Sequence, residues 1–370
     1  MRILQISSAK TFGGGERHLI DLCRGLKDRG HEVFVALRPS NEWQNKFDFL
    51  PPENIFHVSI RNAFGIFSAQ KIASFVNRRG IEIVHAHVAR DYIPASLVCR
   101  ISKNARFVLT RHVLFPMKSF HRLALRNLAQ AIAVSGAVEA SLRPIFPADK
   151  IRIISNGLDT GLLAGDERRR RREEFRFLHN IPFDAAVVGT VGELKELKGQ
   201  RDFVLAAGEI AKNSENAFFV VVGKDHSTNG QFRRELKRMI RVFGLEKRFL
   251  FLDWADDLPA LLASFDVFVS PSHSESFGLA ILEAMAQQTP IVATATGGAK
   301  ELLRHGESAL IAPVADPVAL ARAVENLLTD DEKSARLAQN ARHSAEERFS
   351  LREMIDKTEA LYREVLQNRK

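Results

Sequence analysis

The feature that most constrains this chain is a rhythm. Short apolar runs of strand length alternate with longer segments of helical spacing, and the alternation occurs twice. The first series holds RILQIS, EVFVAL, IEIVHAH, ARFVLT, QAIAV and KIRIIS, with a glycine loop and a helix over Arg17–Arg29 between the first two. Near Asn156-Gly157 the rhythm pauses. It resumes with AAVVGTVG, AFFVVVG, RFLFLD, DVFVSPS, PIVAT and ALIAP, with helices expected from Arg201 and over Phe232–Phe243. Strands that are apolar throughout suit a sheet covered on both faces, and strand–helix repetition implies parallel pairing. The expected fold class is therefore α/β, with two doubly wound domains. Ligands of such sheets sit beyond the carboxyl ends of the strands, so a cleft between the halves is the expected site.

Composition agrees with this partition. A chain of 370 residues is too long for one ordinary core. The halves join near residues 157–182, which places the domains at 1–160 and 161–351. The last helix, about 352–370, is expected to pack back on the first domain. No apolar run is long enough to span a membrane, and MRILQISSAK reads as a first strand rather than a signal peptide. Cys23 and Cys99 form no metal-type spacing and read as buried thiols in a reducing cytosol. The net charge of +9 suits an anionic partner. Only two Trp and two Tyr are present, too few stacking aromatics for a nucleic-acid surface, so no nucleic-acid partner is expected. The run Arg168–Arg172 reads as the solvated face of a linker helix.

Candidate chemistry collects at the strand ends. Gly13, Gly14 and Gly15 follow the first strand and open a helix, where backbone N–H groups could approach an anion. A plain tight turn is the alternative. The spacing does not fit G-x-G-x-x-G, although Arg38 leaves a phosphorylated dinucleotide barely open. His85 and His87 follow IEIV, and His112 follows ARFVLTR. Two histidines at i, i+2 could suggest a metal, but no carboxylate or cysteine cluster accompanies them. A satisfied structural histidine is the default for each, with His112 the best functional candidate. In VGELKELKGQ, Lys195 and Lys198 lie between Gly192 and Gly199, placed either for phosphate or simply on the surface.

The segment SHSESFGLAILEAMAQQTP carries Glu275 and Glu283 around a predicted helix that begins near Phe277-Gly278. A buried helix needs neither acid. Eight helical residues span roughly 12 Å, about the length of a nucleoside diphosphate with a sugar attached. Carboxylates suit neighbouring hydroxyls, and a helix N-terminus suits phosphate. One acid would hold the ribose and the other the sugar, with the diphosphate between them. A glycosidase-type acid pair would need its carboxyl groups to face each other across one bond, which this placement makes less natural.

These pieces, in this order, resemble the retaining glycosyltransferases of the GT-B fold, glycosyltransferase family 4, also called group 1 glycosyl transferases. The matching landmarks are FGGGERHLIDLCRGLKDRGHEV, IVHAHV, VLTRH, AVS, IISNGLD, VGELKELKG, VVG and ESFGLAILEAMAQQTPIVATATGGAKELL, with Glu275 and Glu283 matching E-x7-E. The resemblance implies two Rossmann-like domains facing each other, an acceptor side followed by a donor side. It implies that Glu283 binds ribose hydroxyls and that Glu275 contacts the donor sugar. Phe277, Gly278 and Leu279 would meet the phosphates through backbone amides. Lys198 would neutralise the pyrophosphate, His112 would lie beside the donor sugar, and Gly13–Gly15 would face phosphate or acceptor. The co-substrate would be a nucleotide-diphosphate sugar, and no other cofactor is expected. No D-x-D motif appears, so a metal is not expected to be required. The leaving phosphate would take the acceptor proton in a front-face transfer.

One departure stands out. Family members commonly carry Arg where this chain has Glu193, and a carboxylate there opposes pyrophosphate. Either Lys195 takes the missing role, which is the expectation, or Glu193 points away, or phosphate binding is weaker than usual. Base recognition is expected near Lys224 or Trp254, with Trp254 itself reading as core. Lys118, Arg122 and Arg126 recur at i, i+4, i+8 beside Met117, Phe120, Ala124 and Leu128. That pattern reads either as an ordinary domain helix or as a basic amphipathic helix on an anionic membrane. The expected setting is cytoplasmic, with peripheral contact at the inner membrane face and a lipid-linked or envelope-glycan acceptor. The rival functions are a nucleotide-sugar epimerase of similar fold and a non-catalytic nucleotide-sugar-binding member.

Overall fold

The computed structural model describes residues 1–60, 65–163 and 165–368. The chain forms two compact units, Met1–Gly157 with Leu351–Lys370, and Leu158–Ser350.

The first unit is built on a parallel sheet of β1 (Arg2–Ser7), β2 (Glu32–Leu37), β3 (Ile55–His57), β4 (Ile83–Ala86), β5 (Arg106–Arg111), β6 (Leu128–Ala133) and β7 (Ile151–Ile153). Their order is β3-β2-β1-β4-β5-β6-β7. Ile3 is registered against Val33 on one side and Ile83 on the other. All of β1 after Arg2 is buried, which is why its sequence is apolar without alternation. The short β3 was not legible in the sequence, because three residues carry no period.

The first unit is completed by the last helix of the chain. Leu351–Gln367 buries Met354, Ile355, Thr358, Leu361, Tyr362 and Val365, a helical stripe. Arg29 pairs with Asp356 at 2.6 Å and with Glu359 at 2.9 Å, and His31 reaches Glu359 at 3.0 Å. Hydrogen bonds from Arg363 and Arg29, with a smaller part from His31, lower the Glu359 carboxyl to about 2.

The second unit repeats the plan with β8 (Ala186–Val191), β9 (Ala217–Val222), β10 (Phe249–Leu252), β11 (Val267–Ser270), β12 (Ile291–Thr294) and β13 (Leu310–Ala312). Their order is β10-β9-β8-β11-β12-β13, again parallel. Val188, Phe203, Phe219, Leu236, Val267, Val292 and Leu320 form its core. Strand order reverses between β1 and β4 in one unit and between β8 and β11 in the other. In open sheets, ligand crevices lie at such reversals.

Two sequence expectations are corrected. The arginine-rich helix, Gly165–Leu178, is not simply a solvated linker. Arg172 reaches Asp266 at 2.5 Å, Arg176 reaches it at 3.2 Å, and the same carboxylate accepts from the Val187 N–H at 2.7 Å. Arg176 is fully buried and also donates to the carbonyls of Pro182 and Ala185. One aspartate thus ties this helix to β8. Second, Lys118, Arg122 and Arg126 do not share a helix. Only His121–Ala124 is helical, a single turn, and Leu128 already begins β6. The apolar residues that looked like a helical stripe are divided between a loop, that turn and a strand.

Candidate functional site

In the second unit, the segment after β8 and the segment after β11 meet. Gly199 makes this possible. It sits at φ +68°, and a Cβ there would lie 1.9 Å from the Pro271 carbonyl oxygen. Only glycine fits. The short turn Glu196–Lys198 then presents Lys198, whose Nζ donates to Glu275 Oε2 at 2.5 Å. Lys198 is 26% exposed and Glu275 14%, so this pair is only partly open to solvent. The segment is braced by the His273 N–H on the Leu197 carbonyl at 2.9 Å and by His273 Nε2 donating to Asp202 Oδ2 at 2.6 Å. His273 and Asp202 were not legible locally, because their pairing spans two segments.

Beyond Glu275 the chain turns through a buried Phe277 and through Gly278 at φ +100°, then enters the helix Leu279–Ala286. No side chain caps this helix. Its first-turn N–H groups are the usual unsatisfied donors of a helix start. The turn is fixed from behind. The Gly298 N–H donates to the Glu275 carbonyl at 2.9 Å, and a Cβ on Gly298 would meet Phe277 backbone at 2.6 Å. Glu283 lies half-buried in the second turn of the helix. The structure therefore gathers Lys198, Glu275, Phe277, Gly278 and Leu279 at one strand-order reversal.

Lys195 is placed differently. It pairs with Glu193, and both are about half exposed. The carboxylate that departs from the family pattern is thus neutralised by the lysine expected to compensate for it. Trp254 is corrected outright, since it is 51% exposed, in the segment after β10, with Lys224 Nζ 5.9 Å from its ring centroid. Its bulk suggested core, but it stands beyond the end of an edge strand.

The reversal in the first unit has another character. Gly13 caps the helix Gly14–Asp28 in extended conformation, without a side-chain cap. Gly15 packs beside the ring of His112, where an added Cβ would make an ordinary 3.7 Å contact. None of Gly13, Gly14 and Gly15 lies at positive φ, so backbone conformation does not demand them. The preceding segment is held by the Ser8 N–H donating to Asp91 Oδ2 at 2.8 Å. Asp91 is fully buried, and burial raises its carboxyl to about 6.

Four histidines cluster here. His85 and His87 come from the end of β4, His112 from the end of β5, and His18 from the second turn of the glycine-led helix. The His18 and His112 rings lie 4.9 Å apart, and the His85 and His87 rings 4.2 Å. Burial holds all four imidazoles below the ordinary histidine range, His18 at about 4. They are neutral at pH 7. His85 is the satisfied structural histidine that the sequence suggested, bonded to Tyr362 at 2.5 Å and to Thr110 at 2.7 Å. His18 was missed, although its place three residues beyond Gly15 puts it on the same helix face.

The family model "Glycosyl transferases group 1" matches residues 171–344, and "Glycosyltransferase Family 4" matches residues 12–162. The chain is 32% identical over 373 residues to the D-inositol 3-phosphate glycosyltransferase of Corynebacterium efficiens, covering 91% of this chain and 87% of that protein. It is 26% identical over 344 residues to the lipopolysaccharide core biosynthesis glycosyltransferase LpsE of Rhizobium meliloti, covering 93% and 94%. Among solved structures, HepE of Anabaena in complex with UDP and glucose matches with a TM-score of 0.87 at 22% identity, covering 98% of this chain and all of that one.

Proposed function

The chain belongs to the group 1 glycosyl transferases, glycosyltransferase family 4, and from that premise we propose a retaining transfer of a hexose-type sugar from a nucleotide-diphosphate donor to a glycan or lipid-linked acceptor. The chain is a glycosyltransferase of the GT-B type, and the epimerase alternative falls with that membership.

The observation that carries the donor reading is the Lys198–Glu275 pair beside an uncapped helix start. A diphosphate brings two demands, cationic neutralisation and backbone N–H donors, and both are met at one strand-order reversal. Lys198 would exchange its carboxylate partner for phosphate. Glu275, released, would accept from sugar hydroxyls, and Glu283 would accept from the ribose. Phe277, Gly278 and Leu279 would offer backbone amides. From the first unit, His112 is the residue assigned to the transfer step, and the Gly13–Gly15 turn is assigned to acceptor or phosphate. Charge on the leaving diphosphate would be stabilised by lysine and helix dipole, so the transfer itself would need no metal. HepE holds UDP and glucose, which makes a uridine-linked glucose the first donor to try. LpsE acts in lipopolysaccharide core synthesis, which supports an envelope glycan as acceptor class.

A peripheral membrane contact is the remaining part of this reading, with the enzyme working in the cytoplasm. Among the described residues no helix is long and apolar enough to cross a membrane. Phe115 at 67% and Leu123 at 71% exposure stand among exposed Lys118, Arg122 and Arg126, a combination suited to anionic lipid. Replacing the three cations by Glu should abolish sedimentation with anionic vesicles, and unchanged sedimentation removes this part.

The donor test is thermal unfolding with UDP, GDP, ADP and CMP, free and sugar-linked. A ligand at 100 times its Kd stabilises by about 2.7 kcal/mol. A shift with one nucleotide, followed by product analysis showing the anomeric configuration kept, is the expected result. No shift with any nucleotide would favour a non-catalytic member instead.

A further inference from the structure

The histidine cluster of the first unit is more ordered than a sugar-transfer role requires. One ring nitrogen from each of His18, His87 and His112 lies within 4.8 Å of the others. His112 Nε2 donates to His87 Nδ1 at 3.5 Å, a long hydrogen bond whose place a metal ion would take. A tetrahedral site with metal–nitrogen bonds near 2.0 Å sets its ligands about 3.3 Å apart. Closing the remaining gap takes side-chain movements of about 1 Å.

The tautomers are also set. The Gln5 amide donates to Tyr362 Oη at 3.2 Å, which leaves Gln5 Oε1 to accept from His87 Nε2 at 2.8 Å. His87 therefore carries its proton on Nε2 and turns the lone pair of Nδ1 toward His112. Tyr362 in turn donates to His85 Nδ1, and His85 Nε2 donates to Thr110. An outer hydrogen bond that fixes the inner nitrogen is what metal-ligating histidines use. His18 is 4% exposed, with the Asn156 side chain beside its ring, and its Nδ1 lacks a partner of good geometry. A buried imidazole nitrogen without a partner is costly unless something occupies it.

We propose that His18, His87 and His112 form a site for a divalent transition-metal ion of the zinc class, with its fourth position open. Three neutral imidazoles with one open position are a sufficient donor set for such an ion. The sequence hid it because its ligands come from three separate segments. Arg111, adjacent to His112, opposes a cation and keeps the affinity moderate. If the transfer proposed above is correct, a bound ion would occupy the ring of His112 and inhibit it. That consequence rests on the sugar-transfer reading, whereas metal binding does not.

The test uses the full chain, stripped with chelator and titrated with Co2+ while the visible spectrum is followed. Expected are tetrahedral d–d bands that saturate near one equivalent and are displaced by Zn2+. His18→Ala and His87→Ala should abolish the bands, and Gln5→Leu should weaken binding about 10- to 100-fold. His343→Ala, on the surface, should leave them intact. If the buried variants lose their fold by circular dichroism, His112→Ala serves in their place. Absence of tetrahedral bands in the wild type, or bands that survive substitution of these histidines in a folded variant, overturns the proposal. UDP-induced thermal stabilisation, measured in the same samples, reports on the donor reading separately.

Discussion

The two strand-order reversals share a topology and almost nothing else. Between β1 and β4 lie buried, neutral imidazoles whose tautomers are fixed by Gln5 and Tyr362. Between β8 and β11 lie charged side chains, Lys198 with Glu275 and Lys195 with Glu193, partly open to water. The difference follows from solvation. An unpaired charge cannot be buried cheaply, so the dry site keeps neutral groups and the wetter site keeps ions in pairs. A doubly wound sheet supplies a place, and the loops decide its chemistry. A polyanionic donor belongs with the charges.

The largest expected effect would sharpen this division. Lys198→Ala should lower kcat/KM for transfer by about 100- to 1,000-fold, the loss typical of one charge-stabilising group. It should also leave Glu275 without its partner. The double variant Lys198→Ala/Glu275→Ala should therefore lose less than the product of the two single losses, as coupled neighbours do. Full additivity in steady-state kinetics would mean that the pair is not a functional unit.

Backbone substitutions come next, because the two sites use glycine differently. Gly199→Ala forces a Cβ into the Pro271 carbonyl at positive φ, and should cost about 3 kcal/mol or more in denaturant unfolding. Gly15→Ala meets only an ordinary contact with His112, and should cost less than about 1 kcal/mol. Equal costs would erase the contrast between a loop clamped by backbone and one that is merely slim.

Much of this division was readable from residues, and the exceptions have physical reasons. Apolar runs without alternation marked twelve of the strands, since burial on both faces leaves no polar beat. The glycine and lysine segments, the two glutamates and His112 were visible because strand ends and helix starts can be read locally. Everything that depended on distant pairing was not. His273 with Asp202, Asp266 with Arg172 and Arg176, and His18 within the histidine cluster each join separate segments. The false helix over 117–128 shows the converse. A period of four among cations matched a helix, yet Leu128 belonged to a strand, and the sheet prevailed over local spacing.

A smaller effect probes how far neutrality extends in the first unit. Asp91 is buried beside the same reversal, and desolvation outweighs its hydrogen bonds from Ser8 and the pull of Arg90. Its folded pKa, about 6, lies above the ordinary 3.8. The protonated form is thus favoured by folding. The associated stability is present below about pH 4 and is lost as pH rises through about 6. Comparing wild type with Asp91→Asn cancels the other titrating groups. The stability difference should move in the variant's favour between about pH 4 and 6 and then level off, by about 1–3 kcal/mol in total. A difference that does not change with pH would mean that burial does not raise the Asp91 carboxyl, and would break the comparison.

The smallest effect concerns the residue that departs from the family pattern. Glu193 and Lys195 are both about half exposed, so their attraction is screened and worth little, about 0.5 kcal/mol. Glu193→Gln removes a negative charge from the segment that carries Lys198 and frees Lys195 at the same time. Both changes favour an incoming diphosphate. Nucleotide affinity should rise about two- to threefold by calorimetry, and the gain should fade at high salt, as exposed electrostatics do. Because the pair sits in the second unit, metal titration of the histidine cluster should be unaffected. A fall in affinity would carry the opposite meaning. Glu193 would then be holding Lys195 where the donor needs it, and the departure would be a positioning contact rather than a tolerated loss.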